Sequence, residues 1–378
     1  MIAQIDQFHA IALSREAHVL EAQGRSILHM EFGQPSTGAP AAAIAAAHLI
    51  LDHDPMGYWE SPALKERIAR LYTDRYGVAV EAEQVLLTCG ASPGLVLALS
   101  CLFKPGARVA TARPGYVAYR NVLKAMYLEP VEVGCGPASR YQMTAEALDA
   151  IDPPPQGLIL ASPANPTGTI IEPDELAAIA RVCADKGIAI LSDEIYHGLS
   201  FGEAARSMLE FSPDAVVVNS FSKYFSMAGW RLGWVVVPPA LIDAARARMG
   251  NLFLTPPSLA QHAGLAAMDC TNELEGHVAT YRRNRELLLA ALPGMGLAEI
   301  APPDGAFYVY ADVGHLTNDS LNFCRRLLYD TGVATATGVD FDPVDGHRHI
   351  RFSFAVSTER VEEAIARMTP WFAAQPRL

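Results

Sequence analysis

Through the middle of the chain, apolar residues gather in short runs, several of them near-continuous. Val85–Thr88, Arg108–Ala112, Gly157–Ala161, Ile188–Ser192, Ala215–Asn219 and Gly233–Val237 each read as a strand. Such runs fit strands buried on both faces of a mostly parallel sheet. Helical patterns fall between them, the clearest starting at Pro173. Glu172 precedes it, Asp174 and Glu175 occupy the first turn, and Leu176, Ile179, Ala180 and Cys183 keep helical spacing up to Gly187. Proline suits the first helical position, acidic groups suit the positive end of the helix dipole, and glycine suits the left-handed residue past the end.

The C-terminal part reads differently. Tyr281–Leu292 and Ser320–Thr331 pattern as amphipathic helices, and Phe307–Ala311 and His349–Ala355 alternate like half-exposed strands. The expectation is an α/β chain with a large domain over 44–280 and a smaller α+β domain made from 1–43 and 281–378.

Length and composition narrow the picture. A chain of 378 residues exceeds one ordinary core, and 51% hydrophobic with 19% charged residues argues against disorder. A net charge of -12 argues against a nucleic-acid surface, which needs clustered cations. Cys89, Cys101, Cys135, Cys183, Cys270 and Cys324 form no CxxC pair, so reduced thiols and a cytoplasmic location are expected. Met1–Ala10 shows no basic start or apolar stretch, so no signal peptide is expected. The longest apolar run, Gly94–Phe103, is too short for a bilayer. Neither a membrane partner nor a metal is expected.

Ligands of open α/β sheets collect at the carboxyl ends of the strands, and the unusual residues fall there. Ser220-Phe221-Ser222-Lys223 follows a strand, with Arg231 eight residues on. A desolvated lysine amine can bond an aldehyde cofactor, and an arginine fork with serine hydroxyls suits a phosphate. Asp193 and Tyr196 follow the strand before it, where a carboxylate could pair with a buried ring nitrogen and a phenol could meet a ring oxygen. Asn165 sits in a turn of two prolines and a glycine. Gly90 and Ala91 open a helix whose amides form an anion site. Tyr116 could stack on a flat ring, and Arg351, mid-strand among apolar neighbours, needs a carboxylate from the protein or a substrate. Singly, these residues have plainer readings: a solvated lysine, a helix cap, a loop, a structural ion pair. No GxGxxG fingerprint occurs nearby, which counts against a dinucleotide fold.

As an ordered set they resemble the class I/II aminotransferases, the fold-type I enzymes of the aspartate aminotransferase superfamily. The resemblance runs from Phe32-Gly33-Gln34-Pro35 to Arg351. It implies pyridoxal 5′-phosphate (PLP) bonded to Lys223, Asp193 on the pyridine nitrogen, Tyr196 and Asn165 on the phenolic oxygen, and Tyr116 stacked on the ring. It implies Arg231, Ser220, Ser222 and the amides of Gly90 and Ala91 on the phosphate. Arg351 would clamp the substrate carboxylate, with the Gly33 backbone lining that pocket. Tyr58 would reach the phosphate of a neighbouring subunit, implying a homodimer with shared sites. The implied activity is ping-pong transfer of an amino group from an L-amino acid to a 2-oxo acid, Lys223 acting as general base and acid. A PLP-dependent lyase or decarboxylase would use the same residues. A non-catalytic regulator would bring a basic DNA-binding segment. Two departures stand out. Trp59 to Ala63 lead straight to Leu64-Lys65, a shorter connection than the family's, and Ala91 stands where aspartate-specific relatives carry lysine. Phe32, Tyr116 and Phe225 suggest a neutral or hydrophobic substrate side chain.

Overall fold

The computed structural model describes residues 4–378; Met1, Ile2 and Ala3, the start of the expected small domain, lie outside the described residues. In chain order the strands are β1 (Leu28–His29), β2 (Val85–Thr88), β3 (Arg108–Arg113), β4 (Glu129–Gly134), β5 (Gly157–Ala161), β6 (Ala189–Asp193), β7 (Val216–Ser220), β8 (Gly233–Val236), β9 (Tyr308–Asp312), β10 (Val333–Ala334), β11 (Ala336–Thr337) and β12 (His349–Ser353). Seven form one sheet in the order β2-β8-β7-β6-β5-β3-β4. Within it β8 runs antiparallel to β2 and β7, and the remaining pairs are parallel. The carboxyl ends of β2, β3, β5, β6 and β7 therefore share one edge.

The apolar runs that marked these strands are buried because helices cover both faces. Leu87, Leu158, Leu160, Ile190 and Val217 pack into one cluster, and Leu86, Val109, Ile159, Leu191, Val216 and Val218 into another across the sheet. The helix Pro173–Lys186 begins and ends at the expected residues, with Gly187 at φ +67°. β4 escaped the sequence reading. It is one of the two edge strands, exposed or half-buried along its length, and it contains Pro130, which costs a ladder donor and dilutes the strand signal.

A second, antiparallel sheet has the order β11-β12-β9, and β1 pairs in parallel with β10. β9 and β12 were expected to be half-exposed, yet almost every residue in them is buried. Val309 and Ala311 face the main core, whereas Tyr310 joins Ala336 and Phe341 on the other side, so both faces are covered. The expected boundary at residue 280 falls inside one continuous helix, Thr271–Ala291. Arg282 on that helix donates to the Ser200 carbonyl beside the large sheet, and Asn284 donates to the Phe354 and Val356 carbonyls just beyond β12.

Candidate active site

A cavity of about 380 Å³ opens where the carboxyl ends of the large sheet face β9, β12 and the N-terminal segment. Lys223, Asp193, Tyr196, Asn165, Tyr116, Arg231, Ser222, Ala91, Gly33 and Arg351 all line it. The residues come from distant parts of the chain, and the sheet edge brings them together.

Asp193 is the last residue of β6, buried and locked in the ladder between Ala161 and Val218. Its Oδ2 accepts from the Tyr119 hydroxyl at 2.7 Å and its Oδ1 from the Ile195 amide at 3.1 Å. Burial pushes its carboxyl pKa up, and these two donors and the nearby Lys223 pull against that. The group is thus poised to gain from a cation placed against it.

Lys223 lies three residues beyond β7, and its Nζ donates to the Gly33 carbonyl. The rings of Tyr196 and Phe307 stand 5.7 and 5.9 Å from Nζ. Burial above all, then Arg351, lowers its pKa to about 8, with Asp193 opposing. A lysine so placed has an appreciable neutral, nucleophilic fraction near neutral pH.

At the far end, Gly90 precedes the helix Ala91–Leu102 with φ +98°, and a Cβ there would meet Arg231 Nη2 at 2.6 Å. Only glycine lets the turn come this close to the guanidinium. Arg231 is held by the carbonyls of Ala228 at 2.8 Å and Cys89 at 3.1 Å. Ser220 Oγ and Ser222 Oγ lie 2.8 Å apart. First-turn amides, two hydroxyls and an arginine converge here, a donor set suited to a phosphate. Gly90 and Ser220 stand just behind the cavity surface.

Arg351, at the centre of β12, is 2% exposed. Its Nη1 donates to Asn165 Oδ1 at 2.7 Å, its Nη2 donates to the Glu31 carbonyl, and its Nε has no partner. The guanidinium lies 4.4 Å from the centre of the Tyr308 ring and 4.7 Å from that of Phe341. Among the described residues, no carboxylate makes an ion pair with it.

Several lining residues had not been anticipated. Tyr119 lies one helical turn after Tyr116, and that spacing was the available signal. Tyr308 bonds Tyr196 hydroxyl to hydroxyl at 2.7 Å and fills the space a side chain at Gly33 would need. Glu31, Phe8, Ala10 and Ile11 come from an N-terminal segment with no distinctive motif. Tyr58, in contrast, is 83% exposed and outside the cavity. In the short connection after it, Trp59 stacks on His262 with centroids 4.7 Å apart and Ser61 caps the helix Pro62–Tyr76. Phe225 also lies outside the cavity, packed against Phe221 at 4.7 Å.

Known proteins share this arrangement. The model of the family described as aminotransferase class I and II matches residues 27–368. The valine–pyruvate aminotransferase of Mycobacterium tuberculosis is 47% identical over 356 residues, 92% of either chain. A crystal structure of an aminotransferase from Mycobacterium tuberculosis superposes with TM-score 0.96 at 45% identity, covering 99% of this chain and 98% of that one. Aspartate aminotransferase from Thermus thermophilus, solved with maleate, gives TM-score 0.90 at 29% identity over 97% of both chains. The chain belongs to the class I and II aminotransferases and transfers an amino group from an amino acid to a 2-oxo acid.

Proposed function

We propose that this enzyme carries PLP on Lys223 and passes the amino group of an aliphatic amino acid, valine foremost, to pyruvate. The observation that carries the reading is Arg351: a buried cation with no carboxylate in ion-pair contact among the described residues, in a cavity that also holds a lysine whose pKa is lowered to about 8. A buried charge of this kind calls for a carboxylate from outside. The relative that acts on valine and pyruvate supports the donor and acceptor.

The residues fit the cofactor on their own chemistry. Lys223 Nζ can bond an aldehyde, and Asp193 can face a ring nitrogen. Tyr196 and Asn165 can donate to a ring oxygen, Tyr116 can stack on the ring, and Arg231, Ser220, Ser222, Gly90 and Ala91 offer phosphate donors. Bound there, PLP supplies an electron sink for the negative charge left at the substrate Cα. Arg351 fixes the substrate carboxylate in the plane its two Nη groups define, and so aims the Cα–H bond. Lys223 Nζ, when neutral, would take the proton from the substrate Cα and later give one back, as general base and then general acid. Asp193 would face the ring nitrogen, with Tyr119 and the Ile195 amide holding its oxygens in place. Phe8, Ala10, Ile11, Phe32, Leu95 and Val122 give the cavity an apolar wall that excludes water and suits a branched hydrocarbon side chain.

We further propose a cytoplasmic homodimer with shared sites, divided as 44–280 and 1–43 with 281–378. The six unpaired cysteines support a reducing compartment, and among the described residues no helix is long and apolar enough to cross a membrane. Exposed Tyr58, Ile44, Leu49, Leu51, Leu252 and Leu254 support a face that a second subunit covers. Tyr58 would then reach the neighbouring phosphate. The test is a donor screen with PLP-loaded enzyme and pyruvate, followed by the visible absorbance of the bound cofactor. Valine, leucine and isoleucine should turn over at least about tenfold faster than aspartate, the scale of a few methylenes in an apolar pocket. Failure to convert any aliphatic amino acid defeats the assignment.

A further inference from the structure

Outside the cavity, His18 and Glu21 on the helix His9–Ala22 meet His29 on β1, with one donor atom from each inside a span of 4.8 Å. The orientation of the rings gives the cluster its interest. His29 Nδ1 lies 2.7 Å from Glu31 Oε1, and a carboxylate can only accept, so Nδ1 carries the hydrogen. Its Nε2 is buried, has no hydrogen-bond partner, and faces Glu21 Oε2 at 3.2 Å. In the neutral ring, that contact sets a lone pair against a carboxylate. His18 shows the same arrangement. Its Nδ1 lies 2.7 Å from the Ser14 carbonyl, leaving Nε2 as the lone-pair nitrogen. The two rings stand 4.8 Å apart between centroids.

We propose that His18 Nε2, Glu21 Oε2 and His29 Nε2 bind a divalent transition-metal ion of the zinc class, with water in a fourth position. Two imidazoles and a carboxylate are an ordinary zinc donor set. Adjacent donors of a tetrahedral zinc lie about 3.3 Å apart, given bonds of about 2.0–2.1 Å. Glu21 and His29 already stand at that spacing, and the exposed side chains of His18 and Glu21 are free to close the rest. Histidines that ligate metals give their other N–H to a carboxylate or backbone carbonyl, and Glu31 and Ser14 are acceptors of those kinds. The ion would fasten the helix His9–Ala22 to β1. Both elements border the substrate cavity, one through Ala10 and Ile11, the other through Glu31 just beyond its end.

The rival account is a protonated His29 that pairs with both Glu21 and Glu31, its pKa raised chiefly by the Glu31 hydrogen bond. Equilibrium dialysis of the tag-free holoenzyme against Zn2+, with metal counted by mass spectrometry, separates the two. The expected result is one zinc per chain in the wild type. His18→Ala and Glu21→Gln, both at exposed positions, should each weaken binding at least about tenfold, and Glu31→Gln by about tenfold through the lost acceptor. Saturating Zn2+ should also raise the Tm of the wild type and not that of His18→Ala. Zinc that binds both surface variants as tightly as the wild type, or does not bind stoichiometrically at all, overturns the proposal.

Discussion

Arg120, on the helix that carries Tyr119, and Arg351, on β12, are both almost wholly buried, at 6% and 2% exposure. Arg120 is paired with two carboxylates: Asp6 Oδ2 lies 2.8 Å from its Nε and Glu132 Oε1 2.9 Å from its Nη1. Arg351 has an amide oxygen, a carbonyl and two aromatic faces, but, among the described residues, no carboxylate in ion-pair contact. The difference separates a cation paired within the protein from one that lacks an ion-pair partner and faces the cavity. Removing the first costs stability, whereas removing the second costs function.

Asp193 bears on the same distinction, since its charge also awaits a ligand. Asp193→Asn keeps the shape and loses the charge. Turnover should fall about 10³-fold, near 4 kcal/mol of barrier, with folding intact by circular dichroism. Unaltered turnover would mean the carboxylate is only a strand-end cap. Arg351→Met should lower kcat/KM about 10²-fold, mostly through KM, because the substrate carboxylate loses its counter-charge. The Tm of the free enzyme should hold or rise. Arg120→Met should do the reverse, lowering stability by about 1–2 kcal/mol, a modest figure because its carboxylates are partly exposed, with kinetics little changed. If both variants behaved alike, the contrast would collapse.

The pH dependence of cofactor capture sharpens the picture of Lys223. Its pKa is lowered to about 8, so the amine is protonated below that value and neutral above it. The rate at which the apoenzyme takes up PLP should rise about fiftyfold from pH 6 to pH 8 and then level off, following the neutral fraction. A solvated lysine would keep gaining beyond pH 9. The smallest expected effect belongs to Tyr119→Phe. It removes one charge-assisted hydrogen bond from Asp193 and should slow turnover about fivefold to tenfold, in line with a loss of 1–1.5 kcal/mol.

The large sheet was readable because its strands are buried on both faces and so appear as unbroken apolar runs. β4 was hidden by Pro130 at an exposed edge, and β1, β10 and β11 are two residues long, below what periodicity can register. The sequence nominated Lys223, Asp193, Asn165 and Arg351 because a charged or amide group at the end of a buried strand needs a reason. The same logic could not find Glu31, Tyr119 or Tyr308. Their places follow from how the N-terminal segment, the helix Val117–Ala125 and β9 pack across the cavity, and short-range spacing carries no record of that. The half-exposed reading of β9 and β12 missed for the same reason, since alternation shows two unlike faces but not what covers the second.

Finally, the helix Thr271–Ala291 crosses the proposed border without a break. Its 21 residues make a rod about 31 Å long that leaves no slack at that crossing. The other border, between residues 43 and 44, falls inside the helix Ala41–His53, and the chain that leads from β1 to that helix has neither helix nor strand. Were two such units to move against one another, the slack would have to come from that irregular stretch, since neither helix offers any. Phe32, Gly33 and Gln34 lie within it and line the cavity, so such motion would be felt at the substrate pocket.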